Sequence, residues 1–310
     1  MEALRAIAEW RTPFLDQLFL VLTKLGEEAI VIAAVAVLYW CISKKMAYGV
    51  GFAYFFSGIA VNTLKITCRI DRPWILDPTF QVVEGAKGHA TSYSFPSGHT
   101  QSATALYGSL GMTARNKWLR ILFWLCVPIV GFSRMYLGVH TPADVLVGFG
   151  VTVAFVLLFA VFYHTDRMGL KLFAAAGAVL ALFGIGSLCW ALYLHAEGII
   201  AYDYAEDISK MVGAAIGFAI GCPAEMAFVR FSTKTEKLWH QAVKLAVGIG
   251  VTLGLKAGLK PLFALIAGES LVFDALRYGI VILWVVLIWP AIFSRVFRAP
   301  QESAAEAQKN

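Results

Sequence analysis

Three short stretches of this chain carry side chains that can do chemistry. The first is Lys65-Ile-Thr-Cys-Arg-Ile-Asp-Arg72-Pro73. Lys65 and Arg72 are seven residues apart, almost two helical turns, so they share a face wherever the helix persists. Pro73 disfavours helix at Arg72. The second is Pro96-Ser97-Gly98-His99. Proline suits a first helical turn, serine a cap, and glycine lets the backbone come close to a ligand. A helix that starts here points its free N–H groups at that ligand, which makes an anion site. The third is Ser133-Arg134-Met-Tyr-Leu-Gly-Val-His140-Thr-Pro-Ala-Asp144. His140 and Asp144 are four apart, so the carboxylate can hold one side of the imidazole. That fixes the tautomer and leaves the other nitrogen free as nucleophile or base. Each stretch also has a plain structural reading: two snorkelling cations, an ordinary helix cap, and a buried His–Asp pair.

The elements that must position these residues are hydrophobic helices. Of 310 residues, 59% are hydrophobic and only 15% are charged, with a mean hydropathy of +0.70. A soluble domain of this size carries more charge. The apolar residues come in runs of about 17–25, long enough to cross a bilayer. Nine spans are expected, near 26–42, 47–66, 98–114, 118–134, 142–163, 170–194, 208–229, 241–266 and 275–297. The fold class is therefore an all-α polytopic membrane helix bundle. Residues 1–25 are broken by Glu9, Arg11, Pro13 and Asp16 and read as an interfacial amphipathic helix. They lack a basic n-region followed by a small-residue cleavage site, so no signal peptide is expected. A soft boundary near 165–170 separates a core, 26–167, from a four-span extension, 168–298. The polar tail 299–310 reads as disordered. A faint likeness between 62–73 and 252–262 is explained as well by apolar composition as by duplication.

Charge sorts by loop. The segments 43–46, 114–120, 164–171, 230–244 and 295–310 hold 14 of the 26 Lys and Arg and 4 of the 20 acids. The positive-inside rule makes these cytoplasmic, with the N-terminus outside and the C-terminus inside. The loops 67–97, 135–141, 195–207 and 267–274 then face outward. The basic residues form no single patch, so the net charge of +6 does not point to nucleic acid. Cys41, Cys68, Cys126, Cys189 and Cys222 suggest neither a disulfide framework nor a metal site. With this topology the three polar stretches meet at one membrane face. Together they supply three cations, a helix N-terminus, two histidines and a carboxylate. That is equipment for phosphoryl transfer without a metal: cations neutralise non-bridging oxygens, one histidine attacks and the other protonates the leaving oxygen.

Lys65-x6-Arg72-Pro73, Pro96-Ser97-Gly98-His99 and Ser133-Arg134-x5-His140-x3-Asp144, in this order, resemble the three signature motifs of the type 2 phosphatidic acid phosphatase superfamily. The resemblance covers roughly residues 25–165 and leaves the four C-terminal spans without a role. It implies that His140 is a nucleophile forming a phosphohistidine, that Asp144 orients it, and that His99 protonates the leaving group. It implies that Lys65, Arg72 and Arg134 bind the phosphate with Ser97 and the backbone of Gly98. No metal and no cofactor are implied. No acidic cluster of magnesium-like spacing stands beside these residues.

The expectation is a multi-pass cell-membrane hydrolase acting on a phospholipid or isoprenoid phosphate outside the cytoplasm. Undecaprenyl diphosphate, phosphatidic acid and phosphatidylglycerophosphate all fit, as does a soluble phosphate ester. The rival is a transporter or flippase of an anionic solute or lipid. A transporter needs its charges near mid-membrane and in paired repeats, whereas here they sit at span ends. Four further polar residues stand outside the motifs. His89 reads as a solvated loop residue, Glu225 as an intramembrane acid satisfying backbone near Pro223, and Lys256 and Lys260 as snorkelling or lipid-touching cations.

Overall fold

The computed structural model describes residues 1–89, 92–164 and 169–297. The expected disordered tail and most of the 165–170 boundary lie outside these residues. Every regular element among them is a helix. In chain order these are α1 (Glu2–Ala8), α2 (Pro13–Leu22), α3 (Glu28–Val37), α4 (Lys44–Cys68), α5 (Pro73–Leu76), α6 (Gly98–Ala103), α7 (Ser109–Thr113), α8 (Lys117–Tyr136), α9 (Pro142–His164), α10 (Leu170–Ala196), α11 (Tyr202–Ala224), α12 (Leu238–Ala267), α13 (Leu271–Leu283) and α14 (Trp289–Val296). A wider π-type turn, Thr104–Gly108, joins α6 to α7 into one continuous run.

Among the described residues, seven helical segments are long and apolar enough to cross a bilayer. An eighth is available if Pro13–Gly26 and Glu28–Ile42, bent by 49° at their junction, act as one. The nine expected spans are therefore not all present as long straight helices. The segment 26–42 is one arm of the bent pair. The run from Gly98 to Thr113 is about 24 Å long at 1.5 Å per residue, short of a bilayer core of about 30 Å. It is short because it begins inside the protein, where its cap Ser97 is fully buried. Residues 1–25 hold two helices, α1 and α2, with Glu9, Trp10, Arg11 and Thr12 between them.

The chain divides into two compact units. One comprises Met1–Ile32, Phe52–Tyr163 and Ile200–Tyr204. Its α4 and α9 pack through stacked rings, Phe52 on Phe159 at 5.4 Å and Phe56 on Phe155 at 5.6 Å. Polar residues of the N-terminal segment tie it down. Arg11 donates to the carbonyls of Tyr136 and Gln81, and the Tyr136 hydroxyl donates to Asp16 at 2.8 Å. Arg5 pairs with Asp77 at 2.5 Å. These side chains interrupt the apolar pattern because they bind backbone and hydroxyl groups of this unit.

The other unit comprises Ala33–Gly51, His164–Ile199 and the chain from Ala205 on. Its helices touch through glycine, which permits close backbone approach in membranes. A Cβ on Gly217 would lie 2.5 Å from the carbonyl oxygen of Gly279, and one on Gly177 2.8 Å from that of Ala219. Glu225 is buried here and fully engaged. It accepts from the Tyr48 hydroxyl, from Lys44 at 3.0 Å and from the Phe231 N–H at 3.0 Å. Its partners make it a structural cross-link of this unit. The Lys256 ammonium lies over the Tyr278 ring at 5.7 Å. The five cysteines are all free.

Candidate active site

Lys65 sits in the last turn of α4. That helix stops at Cys68, and Arg69 follows with a left-handed φ of 50°. Lys65 and Arg72 therefore do not share a helix face, and a turn carries Arg72 back instead. Arg72 is extended, as a residue before proline prefers, and Pro73 opens α5. Both cations end buried, each 5% exposed, and both reach one loop. The Lys65 Nζ donates to the Tyr93 carbonyl and the Arg72 Nε to the Ser92 carbonyl, each at 2.7 Å.

Arg134 stands in the last turn of α8. The chain then turns through Gly138, whose φ of +82° suits glycine, and the N–H groups of Val139 and His140 return to the Arg134 carbonyl. That places His140 just before α9. Thr141 and Asp144 cap this helix reciprocally. The Thr141 N–H donates to Asp144 Oδ2 at 2.7 Å and the Asp144 N–H to Thr141 Oγ1 at 3.3 Å, in the manner of a capping box.

His140 is buried at the centre of the cluster. Its Nε2 is 2.9 Å from Arg72 Nη1, which also donates to the Val139 carbonyl at 2.9 Å. Its Nδ1 faces Asp144 Oδ2 at 3.4 Å. That is beyond hydrogen-bond length, so the expected carboxylate–imidazole contact is present only as a close approach. The same Oδ2 accepts from Ser94 Oγ at 2.5 Å. Burial pushes the His140 pKa well below 6.5, and Arg72, Arg134, Lys65 and His99 add to the push in that order. Burial first, and these groups after it, favour the neutral imidazole.

Arg134 is 1% exposed. Its Nη1 donates to Thr23 Oγ1 at 3.0 Å, while Nε and Nη2 are buried with no hydrogen-bond partner among the described residues. Buried guanidinium donors of this kind fit a phosphate. Ser97 caps α6 by accepting from the Thr100 N–H, and its own N–H donates to the Asp144 carbonyl at 3.0 Å. His99 lies in the first turn of α6. An added Cβ on Gly98 would meet nothing within 4 Å, so the helix mouth opens onto free space. Among the described residues no group of three or more His, Cys, Asp or Glu is placed to hold a metal ion.

All eight expected site residues thus fall in one compact unit. Sequence reasoning did not single out the tripeptide Ser92-Tyr93-Ser94. Its two carbonyls hold Arg72 and Lys65, and its second serine holds Asp144. The one signal was its polar character just ahead of Pro96-Ser97-Gly98-His99. Thr23, the partner of Arg134, carried no signal.

Residues 46–168 match the sequence model of the PAP2 superfamily, and residues 209–301 match that of the PAP2 superfamily phosphatase transmembrane extension. The probable sphingosine-1-phosphate phosphatase of Dictyostelium discoideum is 29% identical over 49% of this chain and 39% of its own length. The decaprenylphosphoryl-5-phosphoribose phosphatase of Mycolicibacterium smegmatis is 31% identical over 41% of this chain and 67% of its own. The match spans only about half of the lipid A 1-phosphatases of two Rhizobium species. The crystal structure of Aquifex aeolicus LpxE aligns with a TM-score of 0.46 at 26% identity, covering 51% of this chain and 92% of that one. The motifs in the first unit, the two family models matched in order along the chain, and a relative matched over two thirds of its length lead to one conclusion: this chain belongs to the PAP2 superfamily.

Proposed function

We propose that the chain is an integral membrane phosphatase that hydrolyses a lipid phosphate or diphosphate at the extracytoplasmic face, through a phosphohistidine and without a metal. The observation that carries this reading is the 2.9 Å contact between Arg72 Nη1 and His140 Nε2. A phosphoryl oxygen bound by that guanidinium brings its phosphorus to the imidazole nitrogen. In the first step the Nε2 lone pair attacks phosphorus and the bond to the lipid oxygen breaks. His99 gives that oxygen a proton. In the second step water attacks the phosphohistidine, His99 takes a proton from it, and the P–N bond breaks to free inorganic phosphate and neutral His140. Lys65, Arg72 and Arg134, with Ser97 and the backbone of Gly98, balance charge on the non-bridging oxygens, which is electrostatic transition-state stabilisation. Asp144, loaded by Ser94 and Thr141, faces Nδ1 and offsets the charge on the phosphorylated ring. The charge sorting of the loops supports the outer face. The embedded site and the relatives' names support a lipid substrate of the undecaprenyl diphosphate, phosphatidic acid or phosphatidylglycerophosphate type.

The test is phosphate release by detergent-solubilised protein in excess EDTA, on those three lipids and a soluble sugar phosphate. We expect release from at least one lipid. His140→Ala should abolish it while the variant still inserts and elutes as a single species. His99→Ala should slow it by about 10²–10⁴-fold. With a nitrophenyl phosphate, whose leaving group needs little protonation, that variant should accumulate an acid-labile phosphoenzyme on the His140 peptide. Near-normal release by His140→Ala, or strict dependence on added magnesium, overturns the mechanism. Release from the sugar phosphate alone overturns the lipid assignment.

A further inference from the structure

The tripeptide Ser92-Tyr93-Ser94 holds three residues of the site at once. The carbonyl of Ser92 fixes Arg72, that of Tyr93 fixes Lys65, and the hydroxyl of Ser94 fixes Asp144. Ser94 is also anchored through its N–H to the carbonyl of Ile70, at 2.8 Å. These bonds run through backbone and a short side chain, so they leave the Tyr93 ring to other contacts. That ring packs on the ring of Tyr204, with centroids 4.3 Å apart and a tilt of 35°. Tyr204 comes from far along the chain, in the first turn of α11. The short segment Ile200–Tyr204 belongs by its contacts to the unit that holds the site, although the chain on either side of it belongs to the other. It lies between the two matched family regions, 46–168 and 209–301, and inside neither. The phenol of Tyr204 is also within electrostatic reach of Arg72.

We propose that Tyr204 is a positioning residue of the active site: its ring clamps Tyr93, and through the 92–94 backbone it fixes Lys65, Arg72 and Asp144 around His140. The inference rests on the proposed phosphatase reading for its chemistry. Its geometry concerns only how the anion-binding cations are held. The clamp works through the ring face, because the observed contact is ring on ring. Aromatic pairs are favoured beyond the area they bury. Without the clamp, the loop that orders both cations loses its support on the solvent side, where Tyr93 and Tyr204 are only half-buried.

The experiment uses the full chain in detergent and two readouts. One is the affinity for orthovanadate, a phosphate analogue, by calorimetry, and needs no turnover. The other is phosphate release from whichever lipid phosphate the wild-type protein hydrolyses. Tyr204→Ala should weaken vanadate binding by about two- to twelvefold, the range an aromatic pair supports, and lower kcat/KM by a similar factor. Tyr204→Phe keeps the ring and should restore both to within about twofold. Tyr93→Ala should lose as much as Tyr204→Ala, and the double variant should lose no more than either alone. A general loss of fold would give none of this rescue and would show as a lowered Tm in every variant. Wild-type affinity in Tyr204→Ala, a Tyr204→Phe variant as weak as the alanine, or additive losses in the pair each overturn the clamp. Vanadate binding without hydrolysis of any substrate overturns the phosphatase reading and leaves the clamp to be judged on affinity. No vanadate binding by the wild-type protein overturns both.

Discussion

In the proposed mechanism His140 is the residue on which the chemistry turns, and it lies buried within reach of Arg72, Arg134 and Lys65. A nucleophilic imidazole must be neutral, and burial together with Arg72, Arg134, Lys65 and His99 holds it so by lowering its pKa well below 6.5. Protonation of His140 therefore does not limit the free enzyme until the pH falls well below that value. Removing one of the cations relaxes the push, so in Arg72→Gln the acid limb of kcat/KM should move upward, toward the ordinary imidazole range. The substrate's second phosphate ionisation, near pH 6, is common to both enzymes, so the comparison of the two profiles isolates the histidine. An acid limb at the same pH in both would mean that His140 does not set it. The same depression has a stability consequence. Below about pH 6.5 the unfolded chain binds a proton at this histidine that the folded chain refuses. Stability from this group is thus present above pH 6.5 and is lost as the pH falls below it. At this scale the eight candidate residues stand out by type and spacing, because a cation or a capping serine has few uses in an apolar chain, and the fold gathers them in one unit. Ser94 does not. A serine that works through a carboxylate fifty residues away leaves no local mark.

Two close backbone contacts pack against the start of α6, at Ser97 and His99. A Cβ on Gly148 of α9 would lie 2.8 Å from the Ser97 carbonyl oxygen and 3.3 Å from its nitrogen. A Cβ on Gly26, just before α3, would lie 2.8 Å from the His99 carbonyl oxygen. In both cases the neighbour is backbone and cannot swing aside. Gly148→Ala should therefore displace the Ser97 loop and cost about 1–3 kcal/mol, as overpacking does, with activity falling more steeply than Tm. Gly150, two residues on, has nothing within 4 Å of an added Cβ. Gly150→Ala should leave activity unchanged and hold or raise Tm, since alanine favours helix over glycine by about 1 kcal/mol. Equal losses in the two variants would remove the close contact as an explanation. The helices themselves were readable as apolar runs, because a bilayer requires them. The break between α1 and α2 falls where Glu9, Arg11 and Pro13 interrupt the apolar pattern. The shortness of the run from Gly98 to Thr113 was not readable. It follows from a tertiary contact, because Ser97 caps its helix inside the protein rather than at its surface. Hydropathy alone counts that run as a span.

At the scale of the whole molecule, the proposed chemistry belongs to one side of the membrane. The loop carrying Val83 and Glu84 marks the face of the site, since the Val83 N–H donates to the Leu137 carbonyl, three residues from His140. The opposite end of the same unit is marked by the turn before α8, where Arg115 and Lys117 are exposed. The segment 114–120 there holds Arg115, Lys117 and Arg120 and no acid. Lys and Arg near span ends are retained on the cytoplasmic side, whereas acids contribute little to orientation. The site should then face away from the cytoplasm, where the membrane delivers lipid phosphates that a cytoplasmic phosphatase cannot reach. A chain with its native cysteines replaced, carrying either Glu84→Cys or Lys117→Cys, decides this in intact cells or spheroplasts. Both positions are exposed, so neither substitution disturbs packing. A membrane-impermeant thiol reagent should label the cysteine at position 84 at once, and the one at 117 only after the membrane is opened. Labelling at 117 alone would invert the topology and move the reaction to the cytoplasmic leaflet, and labelling at both would mean that the chain inserts in two orientations.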